Sequence, residues 1–375
     1  MDSRDIPEMT SRSTRHDKAV VAVAMSGGVD SSVAAALLLE AGYDVIGLTM
    51  HLWSDDGTSK APCCSFGGEH EAAAVAAQLA FPHYTVDFSQ EFFTLVVKDF
   101  ISEYVRGHTP NPCIRCNTLM KWQRLWEKAQ KFGAGYFATG HYARVEKNAS
   151  RIHLRRAAFR QKDQSYALWG ISQEQLKCTF FPLGKMSKDA VRKKAAALGL
   201  PNALRSESQE ICFVSNDNYR DFLKEHSQEV LERIGSGEIV GPGGKVLGHH
   251  AGFPNYTIGQ RRGLGLTWPR PLYVRHIDAA TNRIFVDEED GCYGHAMRVE
   301  QVNWVSWEKP SGPFEAEVQI RYRDPGSPAR VVPQNDGSLH VEFLTPAWAI
   351  TPGQSAVFYD GDLLVGGGII TSATQ

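Results

Sequence analysis

The sequence predicts an α/β protein: a doubly wound, mostly parallel sheet, then a small central domain and a C-terminal all-β barrel-like domain. Three observations lead there. Short valine-rich runs alternate with stretches of helical length up to about residue 142. A glycine–serine loop sits between the first such run and the first helix. Beyond about residue 216, glycine and proline rise and short alternating runs take over. A chain of 375 residues suffices for two or three domains.

Taken in order, residues 18–25 (KAVVAVAM) form a buried strand, and residues 31–41 (SSVAAALLLEA) a helix stopped by Gly42. Residues 44–53 (DVIGLTMHLW) supply a second strand, residues 69–80 a helix and residues 83–88 (HYTVDF) a third strand. A helix over 90–105 precedes the proline-rich loop TPNPCIRCN at 109–117, and another helix spans 119–132. Residues 136–142 (YFATGHY) are a fourth strand. Strands separated by helices of this length require βαβ crossovers, hence the parallel sheet. Runs at 272–277 and 284–286, then EVQIRY, ARVVP, LHVEF and SAVFY between turn residues, predict the β-rich remainder. The domains are placed at 18–217, 218–283 and 284–375, with residues 1–17 as a flexible tail.

Lys and Arg number 40 against 42 Asp and Glu, a formal net charge of −2. That argues against a generally basic nucleic-acid coat protein and leaves room for a local basic face. No apolar run reaches membrane-spanning length. The first residues lack the apolar stretch of a secretory signal, and Asp2, Asp5, Glu8 and Asp17 count against a transit peptide. Seven cysteines, an odd number, then point to a reducing, cytoplasmic setting rather than a disulfide framework.

Two segments carry chemistry. Residues 24–32 (AMSGGVDSS) join a strand to a helix. Glycines allow close backbone approach, the helix N-terminus offers N–H groups and a positive dipole end, and Ser26, Ser31 and Ser32 add hydroxyl donors. This is an anion cradle suited to phosphate. It lacks the GK[ST] ending of a Walker A loop and is not a GxGxxG fingerprint. In the second segment, Cys113 and Cys116 form a CxxC in a loop stiffened by two prolines, and Cys116 leads into the helix at 119, where a thiol pKa can fall. Cys212 lies in ESQEICF. One CxxC lacks the second close pair of a structural zinc, since Cys63 and Cys64 are adjacent, and the PNP surround fits a thioredoxin-like pair poorly. A catalytic sulfur-handling pair and a three-cysteine iron–sulfur site stay open. Cys178 and Cys292 read as small buried hydrophobes.

The segments AMSGGVDSSVAAALL, GLTMHLW, CCSFG, TPNPCIRCN, ATGHYARV, KDQSYALW, SESQEICFV, TIGQRRGLG and IRYR together resemble the tRNA-specific 2-thiouridylases, members of the PP-loop ATP pyrophosphatases. The SGGxDS loop alone is shared by other PP-loop enzymes; the combination is highly specific. The resemblance implies ATP with Mg2+ bound by Ala24, Met25, Ser26, Gly27, Gly28, Val29, Asp30, Ser31, Met50 and Gly140. It implies Cys116 as nucleophile and Cys212 as persulfide carrier, with a transient Cys116–Cys212 disulfide. Asn111, Pro112 and Cys113 resemble the contact to the target base. His141, Lys162, Asp163, Gln164, Arg321, Tyr322 and Gln354 resemble tRNA-contacting positions. The implied partners are tRNAs for Lys, Glu and Gln and a persulfide-carrying or desulfurase sulfur donor.

The implied reaction adenylates the O2 of the wobble uridine and replaces AMP with sulfur. One branch of the family has aspartate where Cys113 stands. A three-cysteine branch is argued to hold a [4Fe–4S] cluster, which here would use Cys113, Cys116 and Cys212 and deliver hydrosulfide. An amide-forming PP-loop synthetase, or a non-catalytic tRNA-binding or iron–sulfur protein, are the alternatives. For RNA, the basic candidates are residues 151–162 and 185–194, Arg261, Arg262, Arg321, Arg323 and Arg330, with Tyr166 and Tyr322 as stacking aromatics.

Overall fold

The computed structural model describes residues 19–52, 66–148, 150–205, 211–214 and 218–374. The tail at 1–17, Trp53, Cys63, Cys64 and residues 206–210 of the SESQEICFV segment lie outside the described residues. The chain divides into two units. One comprises Met1–Val96, Cys113–Asp217 and Asp362–Leu364; the other Val97–Pro112, Asn218–Gly361 and Val365–Gln375.

The first unit is built on β1 (Val20–Ala24), α1 (Val29–Glu40), β2 (Asp44–His51), α2 (Phe66–Gln78) and β3 (His83–Asp87). The short helix α3 (Ser89–Phe92) follows. The valine-rich β1 is buried along its centre because helices cover both faces of a parallel sheet. Helix α1 is buried from Val29 to Leu38 apart from Asp30, as its alanine- and leucine-rich sequence requires. With β4 (Tyr136–Thr139) and β7 (Thr179–Phe180) the sheet order is β3-β2-β1-β4-β7, all parallel. The chain runs from β1 to β2 and β3 on one side, then returns to place β4 on the other. Strand order therefore reverses beside β1, and the carboxyl ends of β1 and β4 flank a crevice there. The fourth strand stops at Thr139 rather than at 142, and β7 is a strand the sequence reading does not contain.

The loop expected at TPNPCIRCN is helical from Pro112. A short α-turn, α5 (Pro112–Arg115), runs into a π-helical stretch at Cys116–Leu125 and then α6 (Trp126–Lys131). Proline suits the first position, where its missing N–H costs nothing. Ile114, Cys116, Met120, Trp122 and Leu125 are buried and tie the helix to the core. The second proline thus starts the helix, and Cys116 lies one turn inside it rather than ahead of it. A π-helical stretch is uncommon and concentrates at functional sites.

In the second unit, α4 (Lys98–Val105) packs on α9 (Tyr219–Ile234), with Phe100 edge-on to Phe222 at 6.0 Å and Tyr104 stacked on Tyr219 at 4.6 Å. The sequence reading passes over α9, although Asn218 caps it by accepting from the Asp221 amide. Strands β8 (Gly237–Val240), β9 (Val246–His250), β10 (Tyr273–Asp278) and β11 (Arg283–Asp287) form a sheet in the order β10-β11-β8-β9 around Ile239, Val274, Ile284 and Val286. The last six strands are β12 (Tyr293–Trp304), β13 (Phe314–Gln319), β14 (Ser327–Pro333), β15 (Leu339–Trp348), β16 (Ser355–Asp360) and β17 (Leu363–Thr374). They run in the order β12-β15-β14-β13-β16-β17, and β12 pairs with β17 to close a barrel. Met297, Val299, Val318, Val331, Val341 and Phe358 fill it.

Candidate active site

The phosphate loop fills the β1 side of the crevice. Gly27 has φ +72°, and a Cβ there would sit 2.3 Å from the Gly68 carbonyl oxygen of α2. Both facts exclude a side chain. Gly28 is the N-cap of α1 and no side chain caps the helix, which leaves its first N–H groups for a ligand. The serines act differently from expectation. Ser31 and Ser32 are buried, and both hydroxyls donate to the Gly28 carbonyl, at 3.0 and 3.1 Å. They hold the loop's shape; of the three, only Ser26 is exposed. Met25 is buried, its sulfur against Gly47 of β2, and its carbonyl accepts from Thr49 Oγ1 at 2.9 Å. Met50 is half-buried, the next-to-last residue of β2.

Across the crevice, Gly140 follows β4. A Cβ there would lie 2.6 Å from the Ser31 amide nitrogen, so backbone meets backbone where the two strand ends face each other. Asp30, in the first turn of α1, accepts from Tyr142 Oη at 2.7 Å and from Lys188 Nζ at 2.8 and 2.9 Å. The Lys188 side chain is only 10% exposed. It enters on α8 (Lys188–Ala197), whose N-cap Ser187 accepts from the Ala190 amide. Behind the loop, buried Asn202 donates to the Gly27 carbonyl at 2.8 Å and to Ser32 Oγ at 2.9 Å.

The KDQSY segment connects to this machinery. Gln164 and Tyr142 exchange two bonds: the Gln164 amide donates to the Tyr142 carbonyl at 2.9 Å, and Gln164 Oε1 accepts from the Tyr142 amide at 3.0 Å. Asp163 accepts from the Ala157 amide at 2.7 Å and from Ser165 Oγ at 2.7 Å, and burial pushes its carboxyl up from the usual range. Lys162 is half-buried. His141 Nδ1 bonds Thr139 Oγ1 at 2.8 Å, and the ring lies 5.7 Å from that of Trp122. Desolvation, and then the Lys121 charge, hold His141 well below its ordinary pKa, so it presents a neutral ring.

Cys113 is exposed, Cys116 is buried and Cys212 is half-buried. Phe213, next to Cys212, packs edge-on to Phe92 at 5.6 Å, and α3, which carries Phe92, contacts the helical stretch that Cys116 opens. Asn117 Nδ2 donates to the Ala167 carbonyl at 2.9 Å, tying that stretch to the KDQSY turn. Among the described residues no group of three His, Cys, Asp or Glu is placed to hold a metal ion. Cys178 is half-buried and Cys292 buried; burial raises both thiols, and with Asp287 nearby Cys292 reaches about 11.

In the second unit, Gln354 Nε2 donates to the Thr109 carbonyl at 2.8 Å, and the Thr109 amide donates to the Pro352 carbonyl at 2.9 Å. Gln354 therefore anchors the segment leading to Asn111 and Pro112. Asn111 is half-buried and Pro112 buried. Tyr322 is 44% exposed, but Tyr166 is 1% exposed and cannot stack on a base. Several basic candidates are already engaged. Arg155 pairs with Glu146 and Asp362, Arg156 is buried, Lys194 pairs with Glu40 and Arg330 with Glu342. They lie on strands and helices whose neighbours neutralise them, which one-dimensional charge counting does not see.

The tRNA methyl transferase HUP domain family matches residues 19–216, its PRC-barrel domain 220–288 and the aminomethyltransferase beta-barrel domain 294–370. The chain is 46% identical to tRNA-specific 2-thiouridylase MnmA of Geotalea uraniireducens over 95% of its own length and 96% of the relative's. It belongs to the tRNA-specific 2-thiouridylase family. The MnmA proteins of Heliobacterium modesticaldum (46%, over 94% of this chain and 92% of that one) and Roseiflexus sp. (44%, over 94% and 99%) are similar to the same extent. In this 2-thiouridylase-family chain, the crevice residues that sequence reasoning misses are Tyr142, Lys188 and Asn202. Tyr142 sits in the quoted ATGHYARV segment and Lys188 in the basic run 185–194 read as an RNA candidate, while Asn202 lies in no segment with a local signature; only the folded crevice brings them to the loop.

Proposed function

We propose that the chain is an ATP-dependent tRNA sulfurtransferase that converts the wobble uridine of tRNA, position 34 of the Lys, Glu and Gln acceptors, to 2-thiouridine. The observation that carries this reading is the phosphate loop at the strand-order reversal, closed to side chains at Gly27 and Gly140 and bearing the Asp30–Lys188 pair. Uridine O2 attacks the α-phosphorus of ATP and pyrophosphate leaves into the loop. Backbone N–H groups at the start of α1 and the Lys188 ammonium stabilise the charge that develops there. Asp30 is the loop's single carboxylate, and Lys188 already neutralises it. Magnesium is accordingly expected to arrive on the triphosphate, with Asp30 as its protein ligand, rather than in a protein cage.

The terminal sulfur of a Cys212 persulfide then attacks C2, and AMP leaves with the O2 oxygen. The Cys116 thiolate attacks Cys212 Sγ, so the 2-thiouridine departs and a Cys116–Cys212 disulfide remains for an external dithiol to reduce. The wobble base must be splayed out of its stack to reach the crevice. The buried position of Cys116 and the half-buried one of Cys212 keep both sulfurs from bulk solvent, which supports sulfur transfer between them.

The test supplies unmodified tRNA, ATP, Mg2+ and a persulfide carrier, and analyses digested nucleosides by mass spectrometry. The reading predicts 2-thiouridine at position 34, lost in Gly27→Ala. ATP consumption without any thionucleoside, or amide formation in its place, would overturn it.

A further inference from the structure

The second unit contains a cavity of about 540 Å³ that none of the preceding chemistry uses. Its lining includes Arg220, Gln260, Arg262, Arg321 and Trp348, and no acidic residue. Three other arginines of the same unit are paired: Arg270 with Glu288, Arg275 with Asp287 and Arg283 with Glu238. Arg220, Arg262 and Arg321 make no ion pair with any of the described residues. Three uncompensated guanidinium groups around one cavity raise its potential and call for an anion.

The cavity is also built rather than incidental. Gly259 has φ +83°, and a Cβ there would lie 2.9 Å from the Trp348 ring, so the TIGQRRG segment is moulded onto that tryptophan. The Arg321 guanidinium lies 5.0 Å over the Trp348 ring and donates to the Trp348 carbonyl. Tyr273 meets the same ring edge-on at 5.8 Å. Trp348 is thereby walled in, a post for Arg321 and the loop rather than an open platform for a base. Gln260 bridges its own loop, accepting from the Thr257 amide at 3.1 Å and donating to the Arg262 carbonyl at 2.9 Å. Arg220 is steered by its Nε, which donates to the Asn255 carbonyl at 2.7 Å. What remains to meet a ligand is a set of guanidinium N–H donors, matched to the non-bridging oxygens of a phosphate.

We propose that this cavity is a phosphodiester site for the tRNA backbone, with Arg220 and Arg262 as the contacting residues and Trp348 positioning Arg321. The proposal rests on the tRNA reading above and adds a sequence-independent grip to it.

The test measures the affinity of the full-length chain for labelled full-length tRNA over a range of salt. Arg220→Ala and Arg262→Ala should each weaken binding about 3- to 10-fold and flatten the slope of log K against log salt by about 1, while Arg262→Lys keeps most of the slope. Arg270→Ala, an ion-paired arginine outside the cavity, should bind as wild type, and ATP affinity should be unchanged throughout. Wild-type slopes in both cavity variants would overturn the site. So would an equal loss in Arg270→Ala, which would make the effect one of general charge. Competition by inorganic phosphate at the cavity without any change in tRNA affinity would assign it to a free anion and overturn it too. A wild-type chain that thiolates no tRNA would instead sink the functional reading, and the two failures are separable because binding is read without catalysis.

Discussion

At the scale of residues, the crevice is a short relay. Gln164 holds the Tyr142 backbone, Tyr142 donates to Asp30, and Asp30 holds Lys188 at the phosphate loop. The relay places the KDQSY segment two hydrogen-bonded steps from Asp30 at the start of α1. Lys188→Ala should therefore slow pyrophosphate release far more than it weakens tRNA binding, by on the order of 100-fold for one lost charge-assisted contact, with partial recovery in Lys188→Arg. Equal loss in both measurements would mean that Lys188 is only structural. Cys113 is exposed. Under anaerobic conditions Cys113→Ser should thiolate within about 3-fold of wild type, a change of less than ~1 kcal/mol; abolition, with iron and sulfide present in the purified wild type, would favour the cluster route. His141 and His250 are both held neutral, chiefly by burial. Each has a folded pKa below its ordinary 6.5, so the unfolded chain binds the extra proton. Their contribution is intact above pH 6.5 and declines as pH falls below it, by at most about 1.4 kcal/mol per pH unit for each. Denaturant melts of wild type and His141→Gln between pH 5 and 7.5 check this: the variant's slope should be shallower.

At the scale of elements, the α/β alternation was legible because β1, β2 and β3 are short apolar runs separated by a helical stretch. The phosphate loop was legible because its glycines and serines sit between strand and helix. The helix at Pro112 was not, because two prolines in four residues suggest a loop, whereas burial of Ile114 and Cys116 draws the second proline into a first turn. Helix α9 carried a readable signal, Asn218 ahead of the buried Phe222 and Leu223, masked by the glycine-rich run after it. The serine hydroxyls were not legible for a physical reason: Ser31 and Ser32 lie within a turn of the Gly28 carbonyl, which already takes the Ser32 amide and also accepts both hydroxyls. The loop's shape also depends on α8's C-terminal neighbour Asn202. Asn202→Ala leaves the Gly27 carbonyl with only the longer 3.4 Å bond from Arg205 and should cost about 1 kcal/mol, read as a lower denaturation midpoint and a raised KM for ATP.

At the scale of the whole molecule, the net charge of −2 conceals an uneven distribution. Several strand arginines are paired, while Arg220, Arg262 and Arg321 line the second unit's cavity with no acidic residue among its lining. The glycine–serine loop, Asp30, Tyr142 and Lys188 lie in the first unit. No helix among the described residues is long and apolar enough to cross a membrane. The most direct measurement of the central claim traps the sulfur-free intermediate. Cys116→Ser and Cys212→Ser are given tRNA, a persulfide carrier and ATP labelled at the α-phosphate, and labelled tRNA, labelled AMP, pyrophosphate and thionucleoside are counted in one turnover. The account predicts that Cys212→Ser releases pyrophosphate and keeps the label on tRNA, that Cys116→Ser releases pyrophosphate and labelled AMP and leaves the tRNA joined to Cys212, and that neither yields 2-thiouridine. Normal 2-thiouridine from either variant, or a wild type that thiolates without releasing pyrophosphate and labelled AMP, would contradict it.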